Sequence, residues 1–232
     1  GGGYFNGNAT LSNVTFTDNH AGSLGGGGAV FVGIATLSGG SFSGNSATFA
    51  GGGAYFGGAV TATGTTFSDN SATTNRGGGA YFNSTASLSN TSFTGNSTPA
   101  DRGGGAYFRV AADLSATSFI SNSASNRAGG AYFNASATLT DTDFISNTGT
   151  VRAGAVYFGG VATVNGGSFQ FNRCTVACLG GALFATNPIT VVAAQFDNNT
   201  SDAEGGALYL GVGDSLLIDT VVANNSAALN GG

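Results

Sequence analysis

Lysine, tryptophan and methionine are absent from these 232 residues, and histidine occurs once. Charged side chains make up 7% of the chain, against about 25% in an average soluble protein. The net charge of −5 speaks against nucleic acid as a partner, because phosphate binding needs a basic surface. No apolar run approaches the roughly 20 residues of a membrane-spanning helix. No 3.6-residue apolar stripe is present either, which argues against helical structure. One histidine, His20, far from the two cysteines, leaves too few ligands for a metal centre. No signal peptide is visible, and the missing initiator Met suggests a processed chain or an excerpt.

Against this scarcity stand 42 glycines and 18 phenylalanines, and both follow a period of roughly 25 residues. One recurring phrase is Phe-x-x-Asn. It pairs Phe16, Phe42, Phe67, Phe93, Phe119, Phe144, Phe169 and Phe196 with Asn19, Asn45, Asn70, Asn96, Asn122, Asn147, Asn172 and Asn199. Val222 and Asn225 close the series. The other phrase is Gly-Gly-Ala followed by apolar residues, and it places Phe5, Phe31, Phe56, Phe82, Phe108, Phe133, Phe158 and Phe184 in a second ladder. Phe49 and Phe171 fall outside both. Glycines at fixed offsets read as turn residues with positive φ, not as flexible linker.

Five residues before each Phe of Phe-x-x-Asn lies an aliphatic column that includes Leu11, Leu37, Leu88, Leu114 and Leu139. Ser and Thr alternate with it, which is the pattern of a strand with one buried face. The Gly-Ala-Tyr-Phe and Phe-x-x-Asn segments add two more strands. The expected fold is therefore all-β: a single parallel β-helix over 1–232, with about nine coils of roughly 25 residues and three short strands each. With coils about 4.8 Å apart, nine would span roughly 40–45 Å. Like residues then ride over like residues, and the Asn column becomes a hydrogen-bonded structural ladder.

The combined Gly-Gly-Ala and Phe-x-x-Asn phrases resemble the β-helical passenger domains of chlamydial polymorphic outer membrane proteins and related surface proteins. That resemblance implies a right-handed parallel β-helix and a role in adhesion or cell-surface architecture. It does not extend to a translocator barrel or to abundant cysteine, so autotransporter export is not implied.

Several columns are candidate functional sites. Tyr55, Tyr81, Tyr107 and Tyr132, with Tyr4 in the same register, should face outward as an aromatic strip. Such a strip suits exposed strand positions, an interface with a neighbouring solenoid, or stacking on sugar rings. All six positive charges are arginine, and Arg76, Arg102, Arg127 and Arg152 share one loop column just before the glycines. They read as a solvated edge or as binders of carboxylates and sulfates. Asp197, Asp202, Glu204, Asp214 and Asp219 gather in the last two coils, so a basic middle and an acidic end could guide contact between copies. Cys174 and Cys178 share one loop, where a local disulfide or free thiols both fit.

Asn-x-Ser/Thr sequons occur at Asn8, Asn13, Asn83, Asn90, Asn96, Asn134, Asn198, Asn199 and Asn224. A surface so poor in charge needs glycans or burial in an assembly to remain soluble. Catalysis is not expected. The nearest carboxylate pair, Asp141 and Asp143, lies in one coil, whereas glycoside hydrolysis needs two carboxylates converging on one bond. Nor is there a Ser/His/Asp set, a phosphate-binding loop or a calcium-loop repeat, so no catalytic residue, metal or cofactor is expected.

The chain starts and stops at the same point of the repeat, which suggests a window of a longer rod or copies stacked end to end. The expected function is an extracellular structural protein, a stiff fibre or cell-surface stalk, with other copies of itself as partners. The alternative is an adhesin passenger that binds glycans or a cell-surface receptor.

Overall fold

The computed structural model describes residues 1–22 and 25–232, which wind into a parallel β-solenoid of about nine coils with ~26 residues per coil. Each coil contributes four strands, not three, and the strands stack into four nine-stranded sheets. The coil at the centre shows the pattern: Ala106–Phe108, Ala112–Ser115, Ser118–Ile120 and Ser123–Ala124. The additional strand arises because Ser121 takes a left-handed conformation (φ 54°) between Phe119 and Asn122. That turn ends the Phe strand and releases the two residues after Asn122 as a strand of their own. Similar left-handed residues, Gly103 (φ 67°) and Ala116 (φ 44°), turn the other corners of this coil.

Every pairing is parallel and in register, with Phe67 on Phe93 and Leu88 on Leu114. The interior is correspondingly made of columns. Phe16, Phe42, Phe67, Phe93, Phe119, Phe144, Phe169 and Phe196 stack face to face with ring centroids 4.4–5.0 Å apart. A second stack runs from Phe5 to Phe158. Between them the two inward columns of the Leu sheet complete the core. Burying each ring contributes about 1.5–3 kcal/mol, so these stacks dominate cohesion.

The second Phe ladder differs from the sequence reading at one coil. Phe184 pairs with Tyr157, not with Phe158, and so lies outside the main core. Ala185 takes the Phe position and Leu183 the Ala position. The large and small residues have exchanged columns, which keeps the interior volume nearly constant. Phe49 and Phe171, outside both ladders in sequence, are exposed in the fold.

Coil length is held constant on one side only. From the first-sheet core residue to the ladder Asn the chain takes 16 residues in every coil from Gly3–Asn19 to Leu183–Asn199. The return to the next coil takes nine residues after Asn45, ten after Asn70 and eleven after Asn172. Variation in these eight coils is confined to the arc that carries the arginines and cysteines; the last coil adds one residue between Leu208 and Leu217. One position in the glycine run admits no side chain at all. A Cβ at Gly104 would collide with the carbonyl oxygens of Ser123 and Gly129, and Gly27, Gly52, Gly78, Gly154 and Gly181 are walled in alike.

Candidate functional site

Two polar systems follow the axis: one is sealed inside, the other lies along the variable arc. The sealed one is the Asn ladder, whose members from Asn45 to Asn199 are fully buried. Asn122 shows why the side chain must be this amide. Its Nδ2 donates to Asn147 Oδ1 (3.0 Å) and to the Phe93 carbonyl (2.9 Å). Its Oδ1 accepts from the backbone N–H and the Nδ2 of Asn96, both at 3.0 Å. Two donors and two lone pairs are all used, which satisfies a buried amide completely. Asp lacks the donors, and Gln would place them a methylene too far out.

Burial also corrects two of the sequons. Asn96 and Asn199 are ladder members with 0% exposure and committed amides, so in the folded protein they are closed to glycosylation. Asn8, Asn13, Asn90, Asn134, Asn198 and Asn224 are exposed and Asn83 is half-buried. Asn13, Asn90, Asn198 and Asn224 sit at left-handed turn positions, which Asn tolerates well.

On the variable arc, the tyrosine strip is longer and better covered than its sequence pattern indicated. Tyr157, Phe184 and Tyr209 continue the column of Tyr55, Tyr81, Tyr107 and Tyr132. Rings stack at 4.5–5.2 Å from Tyr55 to Tyr209. The column does point away from the Phe core, but Tyr107, Tyr132 and Tyr157 are at most 4% exposed, and Tyr4 at one end is 67% exposed. The expectation of an outward aromatic strip therefore fails in the middle coils. What covers it there is the arginine column, together with Ala128 and Ala153 of the arc, which join the rings in a second core cluster. The period carried the signal for Tyr157, which lies 25 residues after Tyr132, as Tyr132 does after Tyr107; Ala155-Val156 merely stand where the coil before has Gly130-Ala131.

Each arginine lies over the ring of the following coil: Arg76 over Tyr107, Arg102 over Tyr132, Arg127 over Tyr157 and Arg152 over Phe184, at 4.9–5.4 Å. Such cation–π contacts contribute about 0.5–2 kcal/mol, more as they are desolvated. Arg76 Nη1 also donates to the Tyr107 hydroxyl (3.2 Å). Asp101 bridges two of the column: Arg76 Nε donates to Oδ2 (3.1 Å), and Arg102 Nε lies 3.1 Å from Oδ1 without the N–H direction of a hydrogen bond. Burial lowers the pKa of Arg76, but the Asp101 hydrogen bond and neighbouring charges outweigh it and hold the guanidinium above its ordinary value. Burial raises the Tyr107 hydroxyl above its usual range, with Arg76 opposing. It also raises Tyr55, to which Tyr81 adds.

Cys174 and Cys178 are buried and joined as a disulfide across the longest arc, with Cα atoms 5.5 Å apart. Arg173 lies 4.0 Å from Asp202 in an exposed pair. Asp141 occupies a left-handed turn (φ 46°), and Asp143 Oδ1 accepts the Ser168 N–H at 2.9 Å, so the second carboxylate is engaged in coil-to-coil bonding.

A family profile described as the Chlamydia polymorphic membrane protein (Chlamydia_PMP) repeat matches residues 13–33 and 194–211. Two segments of the chain are thus similar to this repeat. Both matched windows run from the Phe-x-x-Asn strand across the variable arc to the glycines, so the repeat is the unit that builds the ladder and the edge. The intervening coils bear the same phrases and the same register. No curated protein and no solved structure matches the chain.

Proposed function

We propose that the chain is an extracellular structural protein, a stiff β-solenoid fibre or cell-surface stalk that lengthens by stacking coil on coil, with no catalytic role. The observation that carries this reading is the translational sameness of the coils. Four parallel sheets and the Asn ladder repeat in register through nine layers, and the two Phe stacks through eight and seven of them. The donors on one side of any coil therefore complement the acceptors on the other side of any other, including one in a second copy. A rod so built resists bending because every layer is cross-linked by all four sheets at once.

The adhesin alternative asked the tyrosines to stack on sugars. Burial of Tyr107 and Tyr132 removes those rings from reach and favours the structural reading. Glycans on the accessible sequons would keep the charge-poor rod soluble. Electron microscopy of the native material tests the proposal. Continuous filaments with a layer spacing of about 4.8 Å, carrying extra density over Asn8, Asn13 or Asn90 and none over Asn96, are expected. Isolated rods of single-chain length at every concentration would reject fibre formation.

A further inference from the structure

The Asp101 bridge shows what the arginine edge accepts. One carboxylate spans the guanidinium groups of two consecutive coils, with an oxygen 3.1 Å from each Nε. The bridging position is the residue just before the arginine of the second coil. For the next two gaps in the column that position is held by Asn126 and Val151. Asn126 turns its amide back to Asp101 Oδ1 (3.4 Å), and Val151 is 42% exposed. Among the described residues neither Arg127 nor Arg152 has a carboxylate within ion-pair distance. The Arg127–Arg152 gap thus has both cations in place and lacks the anion that its neighbour contains.

The two cations are also fixed in advance. Parallel backbone bridges tie Arg102 to Arg127 and Arg127 to Arg152, and the guanidinium carbons of Arg127 and Arg152 lie 5.4 and 5.1 Å from aromatic ring centroids. Arg127 Nε is buried without a hydrogen-bond partner, so the terminal N–H groups are the part left to receive a planar anion. Acidic residues on this ladder begin only at Glu204, beyond Leu179, and Asp101 beside it offsets one of the four arginine charges.

We propose that the edge formed by Arg102, Arg127 and Arg152 binds a linear acidic polysaccharide, a polyuronate lying along the solenoid axis, with a ligand carboxylate bridging Arg127 and Arg152 as Asp101 bridges Arg76 and Arg102. The axial row of cations at about 4.8 Å spacing suits a chain that carries one carboxylate per sugar. The flanking Ser125 and Thr150 hydroxyls donate to the carbonyls of Pro99 and Ala124, which leaves their oxygens to accept from its hydroxyl groups. A nucleic acid duplex is disfavoured because its width would press phosphates against a chain of net charge −5.

The test is calorimetric titration of the native protein with oligogalacturonate at low salt, beside the fully methyl-esterified oligomer of equal length. Binding of the acid form that weakens with added salt, and none of the ester, is expected. R127Q/R152Q should weaken binding at least tenfold. Val151→Asp supplies the missing carboxylate internally, so it should abolish binding while leaving the unfolding midpoint at or above that of the parent. Arg109→Gln, away from the column, should change nothing. Absence of binding at low salt, equal binding of the ester, or V151D binding as tightly as the parent overturns the proposal. Equal, R127Q/R152Q-sensitive affinity for a single-stranded DNA oligonucleotide would overturn the polysaccharide assignment. None of these outcomes depends on whether the rods polymerise.

Discussion

Replacing Asn122 with alanine removes one rung from the middle of the ladder, and the hydrogen bonds define the cost. Four buried partners lose a bond: the Asn96 N–H, one hydrogen of Asn96 Nδ2, the Phe93 carbonyl, and Asn147 Oδ1, which keeps only the Asn122 N–H. Leaving a buried polar group unsatisfied costs about 1–3 kcal/mol. Some relaxation around a small cavity brings the expected loss to about 3–6 kcal/mol. Asn122→Asp is the sharper probe. Its carboxylate can still accept from Asn96, but it sets an oxygen against the Phe93 carbonyl and against Asn147 Oδ1, where Nδ2 used to donate.

Burial among acceptors must raise the pKa of that new carboxyl above its unfolded value of about 3.9. A raised pKa stabilises the fold below the unfolded value and withdraws that stability as pH climbs through the folded one. Relative to the parent, N122D should therefore recover part of its deficit in acid, where the protonated group regains a donor. Urea unfolding followed by tyrosine emission, the chain having no tryptophan, gives the midpoints. Amide exchange at Asn96 would locate the damage, since a solenoid can open by coils. Asn90→Ala, on an exposed turn, is the control. A loss under about 1 kcal/mol for N122A, or N122D that suffers more in acid than the parent, would refute the ladder account.

Other outcomes follow from the same geometry. Gly104→Ala should prevent its coil from closing, because the added methyl meets carbonyls of two neighbouring segments; Gly103→Ala meets only the Ala106 carbonyl, in a turn that Ala128 and Ala153 accommodate in the next coils, and should cost only about 1–2 kcal/mol by urea midpoint. The buried Tyr107 hydroxyl, its pKa raised, contributes stability that is complete below the unfolded value of about 10 and is lost as pH rises through the folded value; Tyr107→Phe should flatten that alkaline decline, and an unchanged pH profile would show that the ring is wetter than its burial implies.

The period, the all-β class and the inward columns were legible in the sequence because in-register stacking writes each core position nine times. Local turn geometry was less legible. A left-handed residue between Phe and Asn leaves no uniform residue type, since Asp18, Gly44, Asp69, Ser121 and Phe171 all serve there. The division of that segment into two strands was therefore hidden. Phe184 was misplaced for a related reason: Leu183 and Ala185 exchange volume between columns, so counting aromatics after glycines misses the register. The tyrosine face was read correctly as opposite the Phe face, but its cover was not. Cover comes from arginines one coil earlier, a contact across about 30 residues that no local pattern encodes.

That cover also separates what the rod needs from what it can vary. The path from the glycines to the ladder Asn keeps its length in every coil but the last because it carries every core column, and a one-residue slip within a strand would send its inward side chains out. The return arc packs only against the tyrosine column, so insertions there shift no core residue. Arg76, Asp101, Arg127, Arg152 and the disulfide all lie on that arc. Stability and recognition are thus assigned to different sides of one coil. A substitution such as Val151→Asp, which alters the arc's charge without touching the ladder, should change what the rod holds and leave the rod itself intact.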